Sequence, residues 1–520
     1  MTPWWRSWRI WLLAALAGQY VVLQLATGVE YFDAPRNLHW GQYLLEQPRF
    51  LLDAEDVYDR INGFPPTSAE LAPAGAASGH SAPLHPWWGP LYLLLFAGVW
   101  GITGSYTALQ LVVPLAAGAV VVLTYAFGRR YFGERTGLLA AALLALLPVY
   151  RENGAISFVE PISALLLALA LWAFLERRTA LAATLGALVM LGKIDLIALY
   201  FGTIAAMALP GLRDRTRQLP RRHVAACLVA PLSALLPWLY LHYIFSARPL
   251  TVAGGPNLAT FGLVAPLMLD QLFTLQPLLT LPTLGLLGVV VGVALWGRAG
   301  ASPLVYRMLA AWLALGCLVL LLYTATPGAS NNPRVLIPAL PALCLLAADG
   351  LERLLPRLRQ AAVVYLLAVF LAADGAGLWY QALQARALQA TRPAWRALER
   401  APRGLVLTED YWFAILYARQ PATWFAHDPA FQRNILLHLG NFERYIAAVP
   451  IRYVVLPRDQ QQGPAYKRTP AVALYSRLPF GRELGWASEP LTSPEVRAFL
   501  EQRFPQQVAG DFVIFTLDPR

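Results

Sequence analysis

Asp33 lies just past the first long apolar stretch, roughly Trp8 to Gly28, at the head of a polar loop that runs to about Pro86. A carboxylate placed where a helix leaves a bilayer, in a loop that also holds Trp40, Tyr43, Tyr58, His80, His85, Trp87 and Trp88, points to chemistry at a membrane surface. Glu30 stands three residues earlier and shares a face with Asp33 if this short stretch is helical. Three further groups fall at later boundaries between apolar and polar sequence. Arg151, Glu152 and Asn153 occupy a short second loop, with Glu160 one or two turns into the span that follows; Lys193 and Asp195 sit in LGKIDLIAL; Asn331, Asn332 and Arg334 open NNPRVLIPALPAL. Ionisable groups at or within a membrane boundary are costly unless they pair or face a cavity, so each of these is a functional candidate.

Each also has an ordinary reading. Lys193 could snorkel to the interface as an anchor, and Arg334 could be a plain interfacial arginine. The first-loop aromatics could form an interfacial belt, and Arg151 with Glu152 a rim ion pair worth little. His80 lies in AELAPAGAASGHSAP, a Gly/Ala/Ser/Pro-rich stretch where a histidine needs no role. Glu160 resists such a reading: it adjoins Pro161 in an apolar run, where an unpaired carboxylate would cost a few kcal/mol.

The elements that must position these residues follow from composition. Of 520 residues 57% are hydrophobic and 14% charged, and the mean hydropathy is +0.48, which marks an integral membrane protein. Cys227, Cys344 and Cys317 all lie in apolar stretches, where they build neither a disulfide framework nor a metal cluster. The net charge of +11 does not indicate nucleic acid. Its arginines gather in short gaps: Arg6 and Arg9; Arg129, Arg130 and Arg135; Arg177 and Arg178; Arg213 through Arg222; Arg298; then Arg353, Arg357 and Arg359. If these gaps are cytoplasmic, spans run in pairs between them. That predicts about 11 crossings, near 8–28, 106–128, 136–150, 157–176, 179–192, 195–210, 223–245, 277–297, 304–324, 334–351 and 361–380. The N-terminus is then inside and the C-terminus outside. Counting the apolar stretch from Pro86 to Gly101 would put Arg129 and Arg130 outside, so it reads as a juxtamembrane or re-entrant helix within an outer loop of residues 29–104. The first span reads as a retained anchor, since no good small-x-small cleavage site precedes the loop.

After about Arg386 the pattern changes. RGLVLTED, PATWF, the end of NFERYIAAVPIRYVVLP and DFVIFTLDP read as strands, alternating with helical stretches such as YWFAILYARQ. The expected fold is therefore a polytopic α-helical membrane domain, residues 1–385, followed by a small extracytoplasmic α/β domain, residues 386–520. Glu409, Asp410, His427 and Asp428 fall at strand ends and read as solvated loop residues.

In order and spacing the candidates resemble the GT-C superfamily of membrane glycosyltransferases, nearest to the protein O-mannosyltransferases and the lipid A aminoarabinose transferases. In those families the first loop reads like D-E-x-x-Y-x-x-x-A-x-x-L-L-E, and here Asp33 is followed at matching offsets by Leu44, Leu45 and Glu46. Their His-Pro-Pro-Leu box corresponds to HPWWGPLY from His85, and their arginine-tyrosine-leucine-leucine-proline box to RVLIP from Arg334. The likeness spans roughly residues 8 to 350. Two departures, Ala34 where relatives carry a second acid and Trp87 in place of the second proline, leave the subfamily and any divalent metal open.

The resemblance implies a donor sugar on a polyprenyl phosphate or diphosphate, presented at the outer leaflet, with a divalent metal left open as cofactor. Transfer to a hydroxyl needs a base for the acceptor proton, for which Asp33 is the first choice and Glu30 the alternative. Lys193 and Arg334 would neutralise the leaving lipid phosphate, with His85 a further donor. Glu160, and with it Glu152, Asn153 and Trp87, would orient sugar or acceptor, or pair with the cations when the site is empty. A single base without a second nucleophilic carboxylate suits direct displacement with inversion, by analogy with hydrolases. No Walker-type or GxGxxG motif occurs, so no nucleotide site is expected. A transporter or flippase of a lipid-linked or anionic substrate would show related halves with matching broken helices, and none is evident. A non-catalytic scaffold would not need Asp33, Glu160, Lys193 and Arg334 on one side. Short arginine-rich loops fit a bacterial inner membrane; the acceptor, whether glycan, lipid or protein, is not encoded in the spacing.

Overall fold

The computed structural model describes residues 8–28, 90–193, 195–213, 219–245, 277–297, 302–325, 333–408, 413–414, 417–420, 422–423, 435–448, 451–458 and 492–517. Two compact units divide the chain, the second taking it up from Tyr380.

The first unit is helical: α1 (Trp8–Thr27), α2 (Pro90–Thr103), α3 (Tyr106–Tyr131), α4 (Glu134–Leu146), α5 (Pro148–Gly154), α6 (Glu160–Leu175), α7 (Thr179–Met190), α8 (Asp195–Arg213), α9 (Arg221–Phe245), α10 (Pro277–Gly297), α11 (Pro303–Ala325), a 3-10 helix (Pro333–Ala339), α12 (Leu340–Arg353) and the start of α13 (Pro356–Arg400). Among the described residues six segments are long and apolar enough to cross a membrane: Trp8–Thr27, Tyr106–Tyr131, Arg221–Leu239, Pro303–Leu322, Arg334–Arg353 and Pro356–Gly375. Shorter apolar helices cover Pro90–Thr103, Glu160–Leu175, Thr179–Met190, Asp195–Ala208 and Pro282–Trp296.

One expected span is broken. The helix expected over 136–150 stops at Leu146, Leu147 is extended (φ −68°, ψ 118°), and Pro148 opens α5. Proline cannot donate within a helix and forces the residue before it out of the helical region. Arg151, Glu152 and Asn153 therefore ride on a short helix rather than in a loop. Glu160 likewise is the first residue of α6, not a turn or two inside it, with Pro161 at the first helical positions, where its missing N–H costs nothing.

Contacts sort the helix ends into two sets. At one end Arg9 of α1 meets Glu134 of α4 at 2.7 Å, and Arg130 of α3 meets Glu176, just past α6, at 3.4 Å. The Tyr131 hydroxyl donates to Glu176 at 2.6 Å and holds that carboxyl below its ordinary range. His223 of α9 stacks on Phe174 of α6 and bonds Thr179 of α7 at 2.8 Å. Phe132, just past α3, meets Tyr306 of α11, whose hydroxyl donates to Asp349 of α12 at 2.8 Å. The arginine clusters at these helix ends thus share one end of the unit. At the opposite end, the Leu91 N–H of α2 donates to the Leu191 carbonyl just past α7 at 3.0 Å. Trp100 of α2 packs on Tyr106 at the start of α3, with 4.7 Å between centroids. Both ends of α2 therefore lie here, opposite the arginines.

Close helix approaches use small residues, which compensate for the weak hydrophobic drive between helices in lipid. A Cβ on Gly128 of α3 would stand 2.6 Å from Gly137 of α4, and one on Gly118 would stand 2.5 Å from the Ala17 carbonyl of α1. Gly350 of α12 packs directly on the Val290 carbonyl of α10.

The second unit holds a five-stranded sheet of β1 (Leu405–Thr408), β2 (Ala422–Thr423), β3 (Ile451–Pro457), β4 (Gln506–Ala509) and β5 (Phe512–Thr516) in the order β2-β1-β3-β5-β4. β1 is parallel to β2 and β3, while β5 is antiparallel to β3 and β4. Alternate side chains face opposite layers. Val406, Tyr453, Phe512 and Ile514 pack with Trp395 and Leu398 at the end of α13. Leu407, Val454 and Phe515 pack instead with Phe442 of α14 (Leu439–Ala448) and Leu500 of α15 (Pro494–Arg503).

Candidate functional site

Four charged side chains meet inside the first unit, at the end opposite the arginines. Glu160 is presented by the first turn of α6, Lys193 by the turn between α7 and α8, Asp195 by the first turn of α8, and Arg334 by the 3-10 helix ahead of α12. Lys193 Nζ lies 3.0 Å from Glu160 Oε1 and 3.0 Å from Asp195 Oδ2. Arg334 Nε lies 3.3 Å from the same Glu160 oxygen. All four are buried, the side chain of Glu160 to 2% exposure and those of Lys193 and Asp195 to 6% and 5%. Charges so buried are tolerated when they pair, and two carboxylates against two cations leave the cluster formally neutral. Both carboxylates stand at helix starts, where the macrodipole favours negative charge.

The surroundings hold these groups in place. The Arg334 guanidinium sits 4.3 Å from the Phe158 ring centroid, a cation–π contact. Tyr92 of α2 and Ser163, one turn into α6, share a 2.5 Å hydrogen bond, and the Ser163 hydroxyl also reaches the Val159 carbonyl at 3.1 Å. A Cβ on Gly192 would lie 2.8 Å from the Tyr92 hydroxyl, so the residue before Lys193 has to be small for α2 to seat.

A second buried pair was not foreseen. Arg151 Nε contacts Asp374 Oδ1 at 2.5 Å, with side-chain exposures of 3% and 7%. Arg151 is thus no rim residue: it sits on α5, which Pro148 starts inside the protein, and its partner comes from α13. The signal for Asp374 was present as a lone acid in the apolar run AVFLAADGAG. Asn153 is also buried, and its side-chain amide donates to the Val149 carbonyl at 2.7 Å, within its own helix. Glu152 beside it is half-buried.

Of the residues singled out in the sequence, the structure brings together Glu160, Lys193, Asp195 and Arg334, and adds Tyr92 and Ser163. Glu30, Asp33, His80, His85, Trp87, Asn331 and Asn332 lie outside the described residues. Among the described residues no three His, Cys, Asp or Glu side chains gather to hold a metal ion. The Lys193 ammonium stands between the two carboxylates, where a divalent cation would have to be, so these residues do not fit one.

In sequence, the chain matches no family model and no curated protein. In structure, it is similar to ArnT from Cupriavidus metallidurans bound to undecaprenyl phosphate, with a TM-score of 0.63 at 13% identity over 98% of each chain. It is similar also to the apo state of the same protein, with a TM-score of 0.60 at 14% identity over 98% of this chain and 97% of that one. A looser likeness, TM-score 0.46, is to the oligosaccharyltransferase AglB from Archaeoglobus fulgidus. The chain shares the fold of ArnT over nearly its whole length.

Proposed function

We propose that the protein is a glycosyltransferase that moves a sugar from a polyprenyl-phosphate donor to an acceptor hydroxyl at the outer face of a bacterial inner membrane. The observation that carries this reading is the buried cluster of Glu160, Lys193, Asp195 and Arg334 on a fold shared with a protein that binds undecaprenyl phosphate. Buried ionisable groups within a membrane bundle are expensive and mark ligand paths. Here the cations are a lysine point charge and an arginine fork, the two donors suited to a phosphate.

In the proposed reaction the acceptor oxygen attacks the anomeric carbon, the bond from that carbon to the phosphate oxygen breaks, and the acceptor proton passes to Asp33, with Glu30 the alternative base. The lipid phosphate leaves with the bonding electron pair, its charge met by Lys193 and Arg334 with help from His85. Glu160 and Trp87 would orient the sugar or acceptor. Attack by the acceptor itself inverts the sugar carbon. Asp33 lies five residues past Gly28, and α1, which starts at the arginine-rich end, delivers Gly28 to the end that holds the cluster. We take the bundle to cross the membrane about 11 times with the arginine-rich end cytoplasmic, which puts the cluster and the C-terminal unit outside.

The test is transfer from a panel of radiolabelled polyprenyl-phosphate sugars to a membrane extract, with purified wild type and Asp33→Asn compared at equal folded yield. Transfer from one donor that falls at least 100-fold in the variant supports the class and the base. Unchanged turnover moves the base to Glu30, and no transfer from any donor removes the enzymatic reading.

A further inference from the structure

Lys193 is held from two sides by carboxylates on two different helices, Glu160 and Asp195, each at 3.0 Å. Glu160 serves both cations through one oxygen, Oε1. Its Oε2 and the Oδ1 of Asp195 are buried and make no hydrogen bond among the described residues. A buried carboxylate with an oxygen left over is destabilising for the fold. Glu160 touches both Lys193 and Arg334 but brings one negative charge against two positive ones, and Asp195 brings the second. Without Asp195 the cluster would present a formal charge of +1 to an incoming anion; with it, the net charge is zero.

Its effect on an incoming anion follows from distance. A phosphate oxygen bonded to the Lys193 ammonium at about 2.8 Å lies within about 6 Å of the Asp195 carboxylate, given the 3.0 Å contact of Asp195 with the same nitrogen. Like charges at that separation repel appreciably even at an effective dielectric constant of about 20. The repulsion acts unequally on the two ends of the proposed reaction, on which this inference rests. The donor is a phosphodiester with a single charge, whereas the lipid phosphate left after transfer is a monoester with a charge of roughly −1.5 to −2 at neutral pH. A pocket with cations alone would hold the product more tightly than the donor, and turnover would stall at release.

We propose that Asp195 tempers the affinity of this site for phosphate, favouring the donor over the spent lipid phosphate and so permitting product release. The experiment is equilibrium binding of a sugar-free polyprenyl phosphate to the full-length protein in nanodiscs, for wild type, Asp195→Asn, Lys193→Gln and the double variant K193Q/D195N. Asp195→Asn should bind on the order of tenfold or more tightly than wild type, and in turnover should lower KM for the donor and kcat together. The double variant removes both members of one ion pair and so avoids a stranded charge; it should still bind more tightly than Lys193→Gln. Weaker or unchanged binding by Asp195→Asn, or no gain from D195N in the K193Q background, would mean that Asp195 only positions Lys193 and would overturn the proposal. Wild type that binds no polyprenyl phosphate at all would instead fail the glycosyltransferase reading and take this inference with it.

Discussion

Asp374 and Arg151 show what a single residue can hide. Each stands in sequence that reads simply, an acid in an apolar helix and an arginine in a polar turn, and only the folded chain joins them across 223 positions. Removing one partner from a buried pair strands the other, at a cost of about 3–5 kcal/mol, whereas replacing both with apolar residues of similar volume is often neutral. Arg151→Met and Asp374→Leu should each lower the thermal unfolding temperature in detergent sharply, and the double variant should recover most of the loss. Additive losses in the double variant would show that the two residues act independently. Glu160 was legible because a charge inside apolar sequence demands a reason. Lys193 was legible too, but its snorkelling alternative was removed only by tertiary contacts: the ammonium turns inward to two carboxylates.

Helices begin and end largely where local chemistry requires. The stretch read as 179–192 is α7, Thr179–Met190, and that read as 277–297 is α10, Pro277–Gly297. The exception at Leu147 and Pro148 is also local, because the proline that ends one helix starts the next. Packing between elements was less legible, since a glycine in an apolar helix does not name its neighbour. Gly350→Val should destabilise the bundle by roughly 1–3 kcal/mol, because the added atoms press on the Val290 backbone and cannot be relieved by a side-chain rotation. Unfolding of this variant at the wild-type temperature would show that α10 and α12 can slide apart freely. In the second unit, the Gly510–Asp511 turn joins β4 to β5, with Gly510 at φ +62° and against the Ala390 carbonyl. Strand β4 and helix α15 escaped notice because Gln506–Ala509 is short and largely exposed, without the apolar alternation that marks β5.

At the scale of the whole molecule, the prediction concerns sidedness. If the arginine-rich end is cytoplasmic, Arg178→Cys should react with a membrane-impermeant maleimide only after the cytoplasm is opened, and Ile102→Cys, 87% exposed at the opposite end, should react from outside in intact cells. Reaction of both from the same side would refute the alternation of helix directions. Background labelling should be low, because Cys227 and Cys344 are buried and Cys317 lies on the apolar helix α11. The amino-acid sequence by itself determined that the chain is an integral membrane protein, where most helices lie, and which charges needed a purpose, because transfer of apolar and charged groups into lipid is a property of each segment and each residue. Only the tertiary structure decided which charges meet, since partners such as Glu160 and Arg334, or Arg151 and Asp374, are remote in sequence and are joined by helix packing that depends on the shapes of both surfaces.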